Sequence, residues 1–146
     1  GLNVPHTIVK RLQDKYKNLP RYTILESPEG SNTDIVNKVD ITVIDYKEHC
    51  IYTYDVKSTE YEDKITYTYI NSLGEKSKLY NNDFNTDLIF QFNNFNIAYI
   101  VNAKDLYYLL QDKLDKGLDK PSKTKPKSRY VWFTKNEISE IAYDII

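Results

Sequence analysis

Asp40, Asp55 and Lys57 are the residues of this 146-residue chain whose types and spacing could do chemistry. They lie at the far ends of two stretches rich in Ile, Val, Thr and Tyr, Val39–Asp45 and Cys50–Lys57. The four residues Tyr46–His49 between them suit a hairpin turn. A hairpin closed there pairs Asp45 with Cys50, Val43 with Tyr52, Ile41 with Tyr54 and Asp40 with Asp55. Side chains alternate across a strand, so Ile41, Val43, Tyr52, Tyr54 and Val56 share an apolar face. Asp40, Thr42, Ile44, Ile51, Thr53, Asp55 and Lys57 share the other. Two carboxylates directly opposite, with Cβ atoms roughly 4.5–5.5 Å apart, destabilise a sheet unless a cation sits between them. Lys57 supplies one positive charge, and Mg²⁺ or Mn²⁺ would supply more, being hard ions that take oxygen ligands and keep water. An ion so held generates hydroxide and stabilises charge on a phosphate, which is the chemistry of phosphodiester hydrolysis. The plainer reading is a solvated hairpin face with a surface Asp–Lys pair worth little energy.

Elements must position these groups. Val4, Ile8, Leu12 and Tyr16 recur every fourth residue, which predicts an amphipathic first helix with Pro5 in its first turn and Pro20 beyond its end. Arg21–Glu26 suits a first strand, and Ser27–Lys38 a loop. After the hairpin, 64–70 alternates as an extended segment, Asn71–Gly74 is a turn, and 87–92 reads equally as strand or short helix. Ile97–Val101 is expected as a strand, and Ala103–Leu114 as a helix with Leu106, Leu109 and Leu110 on one side. Gly117, Pro121 and Pro126 make 113–129 a loop, and Tyr130–Phe133 is a last strand. Thr134 followed by Glu137 is a capping-box start for a final helix through Ile146.

Composition bounds the rest. The length suits one domain, 1–146, with one core, and the 40% hydrophobic and 28% charged fractions are ordinary for a globular chain. No apolar run approaches the roughly 20 residues that cross a bilayer, and no secretory signal is evident. A single cysteine, Cys50, excludes an internal disulfide framework and a cysteine-rich zinc site, so a reducing, cytoplasmic setting is expected. Gly1 opens a chain without methionine and is expected to be a cloning remnant with native sequence upstream. The net charge of −1 excludes a protein that coats nucleic acid indiscriminately, though not one that grips it locally. Between Lys113 and Arg129, seven basic residues face two acidic ones, which suits either a phosphate-contacting loop or a solvated one.

The run Val39-Asp40-Ile41-Thr42-Val43-Ile44-Asp45, followed by Ile51-Tyr52-Thr53-Tyr54-Asp55-Val56-Lys57-Ser58, resembles the core of the PD-(D/E)XK nuclease superfamily. In that family an aspartate opens one strand and an acid-x-lysine triplet closes the next. Matched residue by residue, Asp40 is the first acid, Asp55 the second and Lys57 the lysine. The resemblance implies an α/β fold with a restriction-endonuclease-like αβββαβ core, a mixed, largely antiparallel central sheet and flanking helices. It also implies Mg²⁺ or Mn²⁺ at Asp40 and Asp55 with the Val56 carbonyl as a further ligand, and Lys57 orienting the attacking water. Nucleic acid is the implied partner, DNA ahead of RNA, with a homodimer or a place in a larger complex as the expected assembly. The close match covers 39–58. Val39 stands where a proline is common, and the extended look of 64–70 replaces the helix usual after the lysine strand. The glutamate that Holliday-junction resolvases of this type carry on the first helix has no counterpart here. Asp14, Glu26 and Asp34 are the candidates to replace it, with His6 a fourth, because cap-snatching endonuclease domains of the same fold use a helix histidine.

Ser58 and Thr59 beside the triplet, and Lys123, Lys125, Lys127 and Arg129 in the basic stretch, are the expected nucleic-acid contacts. His49 is a turn residue, and Cys50 is expected as a buried or half-buried hydrophobe on the core side beside Asp45. Tyr67, Tyr69, Tyr107 and Tyr108 are expected in the core ahead of a stacking role. Two functions compete with cleavage: a non-catalytic nucleic-acid-binding module of the same fold, and a protein-interaction domain.

Overall fold

The structure, a computed structural model, describes residues 4–16, 20–28, 38–93 and 97–146. The helices are α1 (Val4–Tyr16), α2 (Ala103–Asp115) and α3 (Lys135–Ile141). The strands are β1 (Tyr22–Glu26), β2 (Ile41–Asp45), β3 (Cys50–Thr59), β4 (Lys64–Ile70), β5 (Thr86–Phe92), β6 (Ala98–Val101), β7 (Lys120–Pro121), β8 (Arg129–Thr134) and β9 (Ala142–Ile145). A six-stranded sheet runs β1-β2-β3-β5-β6-β9, and a separate three-stranded sheet runs β4-β8-β7. Every pairing is antiparallel except β3 with β5. The fold is therefore α/β with a mixed, largely antiparallel central sheet.

The apolar pattern decides the layers. α1 buries Ile8 and Leu12 of its predicted stripe, with Val9 beside them, against Ile41, Val43, Ile89 and Ile100 on one face of the large sheet, and Val4 and Tyr16 pack partly buried at the margins. Leu88, Phe90 and Phe92 of β5 point to the opposite face, where they meet Ile65 and Tyr67 of β4, Val131 and Phe133 of β8, and Leu106 and Leu110 of α2. Residues 87–92 are thus a strand, with Leu88, Phe90 and Phe92 in one core and Ile89 in the other, and Ile89 interrupts the alternation that Asp87 and Gln91 would otherwise show. α2 starts at Asn102, whose side chain accepts from the amides of Lys104 and Asp105, and ends where Gly117 takes a positive φ of 68°.

Four expectations are corrected. The last helix stops at Ile141, and Ala142–Ile145 instead pairs with β6 as an edge strand, because β6 otherwise leaves its outer amides and carbonyls unpaired. The 113–129 stretch is not one loop: Lys113 belongs to α2, buried and paired with Glu137 at 2.9 Å, Lys120–Pro121 is a short strand, and Arg129 opens β8. Cys50 is exposed, since the sheet's end at the turn extends past the helix that covers its middle, and Tyr52 is 42% exposed for the same reason. Of the tyrosines expected inside, Tyr67 and Tyr69 are buried and Tyr107 half-buried, but Tyr108 faces solvent at 58%.

Asp45, at the turn end of β2, is buried and held by Arg21 through a two-pronged pair, Nη2 to Oδ2 at 2.7 Å and Nε to Oδ1 at 3.1 Å. The amides of Lys47 and Glu48 donate to the same carboxylate. The Arg21 hydrogen bonds hold the Asp45 carboxyl below its ordinary 3.8, so its contribution to stability is full above that value and drains as pH falls through the depressed one. Asp45→Asn is expected to lower stability at pH 7 and to flatten its decline in acid, measured by urea unfolding at pH 7 and pH 3. Parallel losses in parent and variant would remove Asp45 as a source of the acid sensitivity.

Candidate active site

The hairpin closes in the expected register, with Asp45 opposite Cys50, Val43 opposite Tyr52 and Ile41 opposite Tyr54. His49 adopts φ 53°, a turn conformation. Asp40 sits one residue outside β2 and departs from direct pairing with Asp55. Its N–H donates to the Tyr54 carbonyl at 2.8 Å, and its carboxylate Oδ2 accepts the Val56 N–H at 2.7 Å. The physical reason is the repulsion that direct opposition would impose: displaced along the strand, the Asp40 carboxylate meets an amide donor instead of a second carboxylate. Val56 is the middle residue of the Asp55-Val56-Lys57 triplet. In an extended strand the carbonyl of a residue points towards the same neighbour as its N–H, so the Val56 carbonyl is aimed to the Asp40 side.

Asp55 and Lys57 lie on the face of β3 that looks towards the small sheet, in register with Leu88 and Phe90 of β5. Their side chains form an ion pair, Nζ to Oδ2 at 3.2 Å, with 20% of the Asp55 side chain and 39% of the Lys57 side chain accessible. Both line a cavity of about 330 Å³ between β3, β4 and the 71–79 segment. Lys38, Lys76 and Lys78 add positive charge to its wall, and Glu75 and Asp83 add negative charge. Lys78 is tied to Thr86 Oγ1 at 3.1 Å. Tyr67 forms part of the wall and donates its phenol to Ser77 at 3.0 Å. Burial pushes that phenol's ionisation well up, and the Asp55 charge adds to the effect, so Tyr67 stays neutral beside the carboxylate.

The four third-ligand candidates do not gather here. His6 and Glu26 pair with each other, Nδ1 to Oε2 at 2.8 Å, and neither lines the cavity. Glu26 is opposite Ile41, hence on the α1 face of the sheet and not the Asp55 face. Asp14 is exposed on α1, and Asp34 lies outside the described residues. Among the described residues, no three His, Cys, Asp or Glu side chains cluster as a metal-holding group. Asp40 is not among the residues that line the cavity. Its carboxylate, that of Asp55 and the Val56 carbonyl are hard oxygen donors, the type that a Mg²⁺-like ion takes.

The expected nucleic-acid contacts divide likewise. Thr59 shares the Lys57 face, whereas Ser58 points to the other one. Lys123, Lys125 and Lys127 are exposed, and the Lys127 stem lies against Gly74, next to the cavity wall at Asn71 and Glu75. Arg129 is engaged internally, bonded to Asp119 at 2.6 Å and to the Tyr69 phenol at 3.2 Å. Lys38, Lys76 and Lys78 were missed: Lys76 and Lys78 come to the cavity with the 71–79 segment, and Lys38 with the approach to β2. A second recess of about 760 Å³ lies on the α1 side, lined by Tyr16, Tyr22, Tyr54 and Tyr143 among others. Three of its five acids are engaged: Asp45 by Arg21, Asp87 by the Tyr143 phenol and the Ala103 N–H, and Asp144 by Lys15. Burial pushes Tyr54 in its wall up to about 12.

No family model and no curated protein matches this chain significantly. No helix among the described residues is long and apolar enough to cross a membrane.

Proposed function

We propose that this chain is a divalent-metal-dependent nuclease of the PD-(D/E)XK type, hydrolysing phosphodiester bonds in nucleic acid at Asp40, Asp55 and Lys57. The observation that carries the reading is the hydrogen bond from the Val56 N–H to Asp40, which draws the first acid onto the middle of the acid-x-lysine triplet. Element order adds support for an αβββαβ core: one helix, an antiparallel β1-β2-β3 run, and a crossover to β5 lying parallel to β3. Here the crossover carries β4 in place of a helix.

Asp40, Asp55 and the Val56 carbonyl would hold the ion, which when bound supplies Lewis-acid stabilisation of the phosphate and a more acidic water. Lys57 orients the attacking water, and its Nζ, already 3.2 Å from Asp55, needs only a small swing to release that carboxylate. Lys38 and Lys76 on the cavity wall offset the charge of the phosphodiester. Direct binding of Mn²⁺, followed by the loss of its free-ion electron paramagnetic resonance signal, tests the donor set. Binding that weakens at least tenfold in Asp55→Ala is expected. Unchanged Mn²⁺ uptake in that variant, or no cleavage of DNA or RNA with either ion, overturns the reading.

A second reading, a non-catalytic binding module of the same fold, draws on the absence of a third acidic or histidine ligand among the described residues. Nucleic-acid binding without cleavage in Mn²⁺ would favour it.

A further inference from the structure

The small sheet has two unlike faces. Inward it buries Ile65, Tyr67, Tyr69, Val131 and Phe133. Outward it presents Thr66 opposite Trp132 and Thr68 opposite Tyr130, with Lys120 of β7 beside Tyr130. Trp132 and Tyr130 are half-buried and belong to neither core, Tyr61 is exposed, and the three are arranged as a row. The Trp132 ring is flanked edge-on by Tyr61 at 5.7 Å and by Tyr130 at 6.1 Å. The Lys64 ammonium stands 4.5 Å over the Trp132 ring and 4.9 Å over the Tyr61 ring, a cation–π contact on the outer side of the sheet.

Charge along the row is graded. Exposed Glu60, Glu62 and Asp63 flank its Lys64 end, whereas exposed Lys120, Lys123, Lys125 and Lys127 flank its Tyr130 end. A polyanion carrying flat rings is complementary to such a row: rings on Trp132 and Tyr130, phosphates on the lysines. A duplex keeps its bases stacked inside and cannot use it.

We propose that the outer face of the β4-β8-β7 sheet is a stacking platform for single-stranded nucleic acid, with Trp132 and Tyr130 taking bases and Lys120 and Lys123 taking phosphates. When a base displaces Lys64 from the Trp132 ring, the ammonium turns to the adjoining phosphate. The platform leads to the cavity, for Thr68, opposite Tyr130, lines its rim, and Lys127 lies against Gly74 beside it. Only this onward path rests on the nuclease reading; binding on the platform does not.

Trp132 is the sole tryptophan, so its fluorescence reports on the platform alone. Oligo(dT) of about 12 nucleotides, within the roughly 4–16 that such surfaces take, is titrated in EDTA at low salt. Saturable quenching that weakens steeply with added salt is expected, with duplex of the same length far less effective. Tyr130→Ala, at a half-buried position outside both cores, and Lys120→Glu, at an exposed one, should each weaken binding about tenfold by anisotropy of labelled oligo(dT), with unchanged circular dichroism. Absence of quenching and of anisotropy change, equal response to duplex, or parent-like affinity in both variants overturns the proposal. Asp55→Ala should lose cleavage yet keep the quenching in EDTA. Quenching without cleavage by the parent would sink the nuclease reading and leave the platform standing, and cleavage without quenching would do the reverse.

Discussion

Alanine in place of Asp55 or Lys57 is expected to lower kcat/KM for the proposed metal-dependent cleavage by on the order of 10³-fold, in keeping with losses of a positioned acid–base or electrostatic group. The expected effect is large because the proposed mechanism gives the two side chains separate duties at one cavity: Asp55 would provide an anionic oxygen for the ion, Lys57 a donor for the water. Their cost to folding is small by contrast. Each is partly accessible, and the pair they form at 3.2 Å is of the surface kind that contributes little. Parent and variants should therefore unfold within a few degrees of each other, judged by circular dichroism on heating. Asp55→Asn separates charge from shape, and it should behave like Asp55→Ala in the cleavage assay. Parent-like turnover in both alanine variants would remove the hairpin from the chemistry.

Phe133→Ala is the substitution expected to cost most in stability, about 3–5 kcal/mol. Phe133 is fully buried on the inner face of β8, with ring centroids 5.7 Å from Tyr67 and 6.5 Å from Phe90. It fastens the small sheet to the large one, and the Lys113 ammonium lies 5.9 Å from its ring, so truncation also leaves a buried cation beside a void. Against the roughly 5–15 kcal/mol of a typical domain, such a loss is a large fraction. Because the small sheet supplies Tyr67 and Thr68 to the cavity, cleavage should fall together with stability, unlike in the Asp55 and Lys57 variants. Urea unfolding of parent and variant measures the effect, and a change under about 1 kcal/mol would mean that the two sheets do not share a core.

The hairpin was legible in the residues themselves. Period-two alternation on both sides of a four-residue turn leaves one register that keeps Ile41, Val43 and Tyr54 together, since a slip by one would turn them all to the other face. The α1 stripe and the Thr134–Glu137 capping box were legible for the same reason, being local patterns with local partners: the structure has both legs of the box, and the Thr134 side chain accepts from the Glu137 N–H. Residues 87–92 were not, because Ile89, buried in the second core, sits between Asp87 and Gln91 on the side that would otherwise read as polar, leaving Leu88–Phe90 an apolar triplet.

The sequence by itself determined which residues form helix and hairpin, and which side of each is apolar, because those properties repeat within a few residues along the chain. Only the tertiary structure decided that β4 leaves the large sheet to pair with β8, some sixty residues later, and that Ala142–Ile145 finishes the edge beside β6. It alone decided that Asp40 meets the Val56 amide and not Asp55, and that Lys38, Lys76 and Lys78 share a cavity with the acid–lysine pair. Such contacts join segments far apart in the chain, and their strength depends on distance in space and on desolvation, neither of which has a signature in residue order.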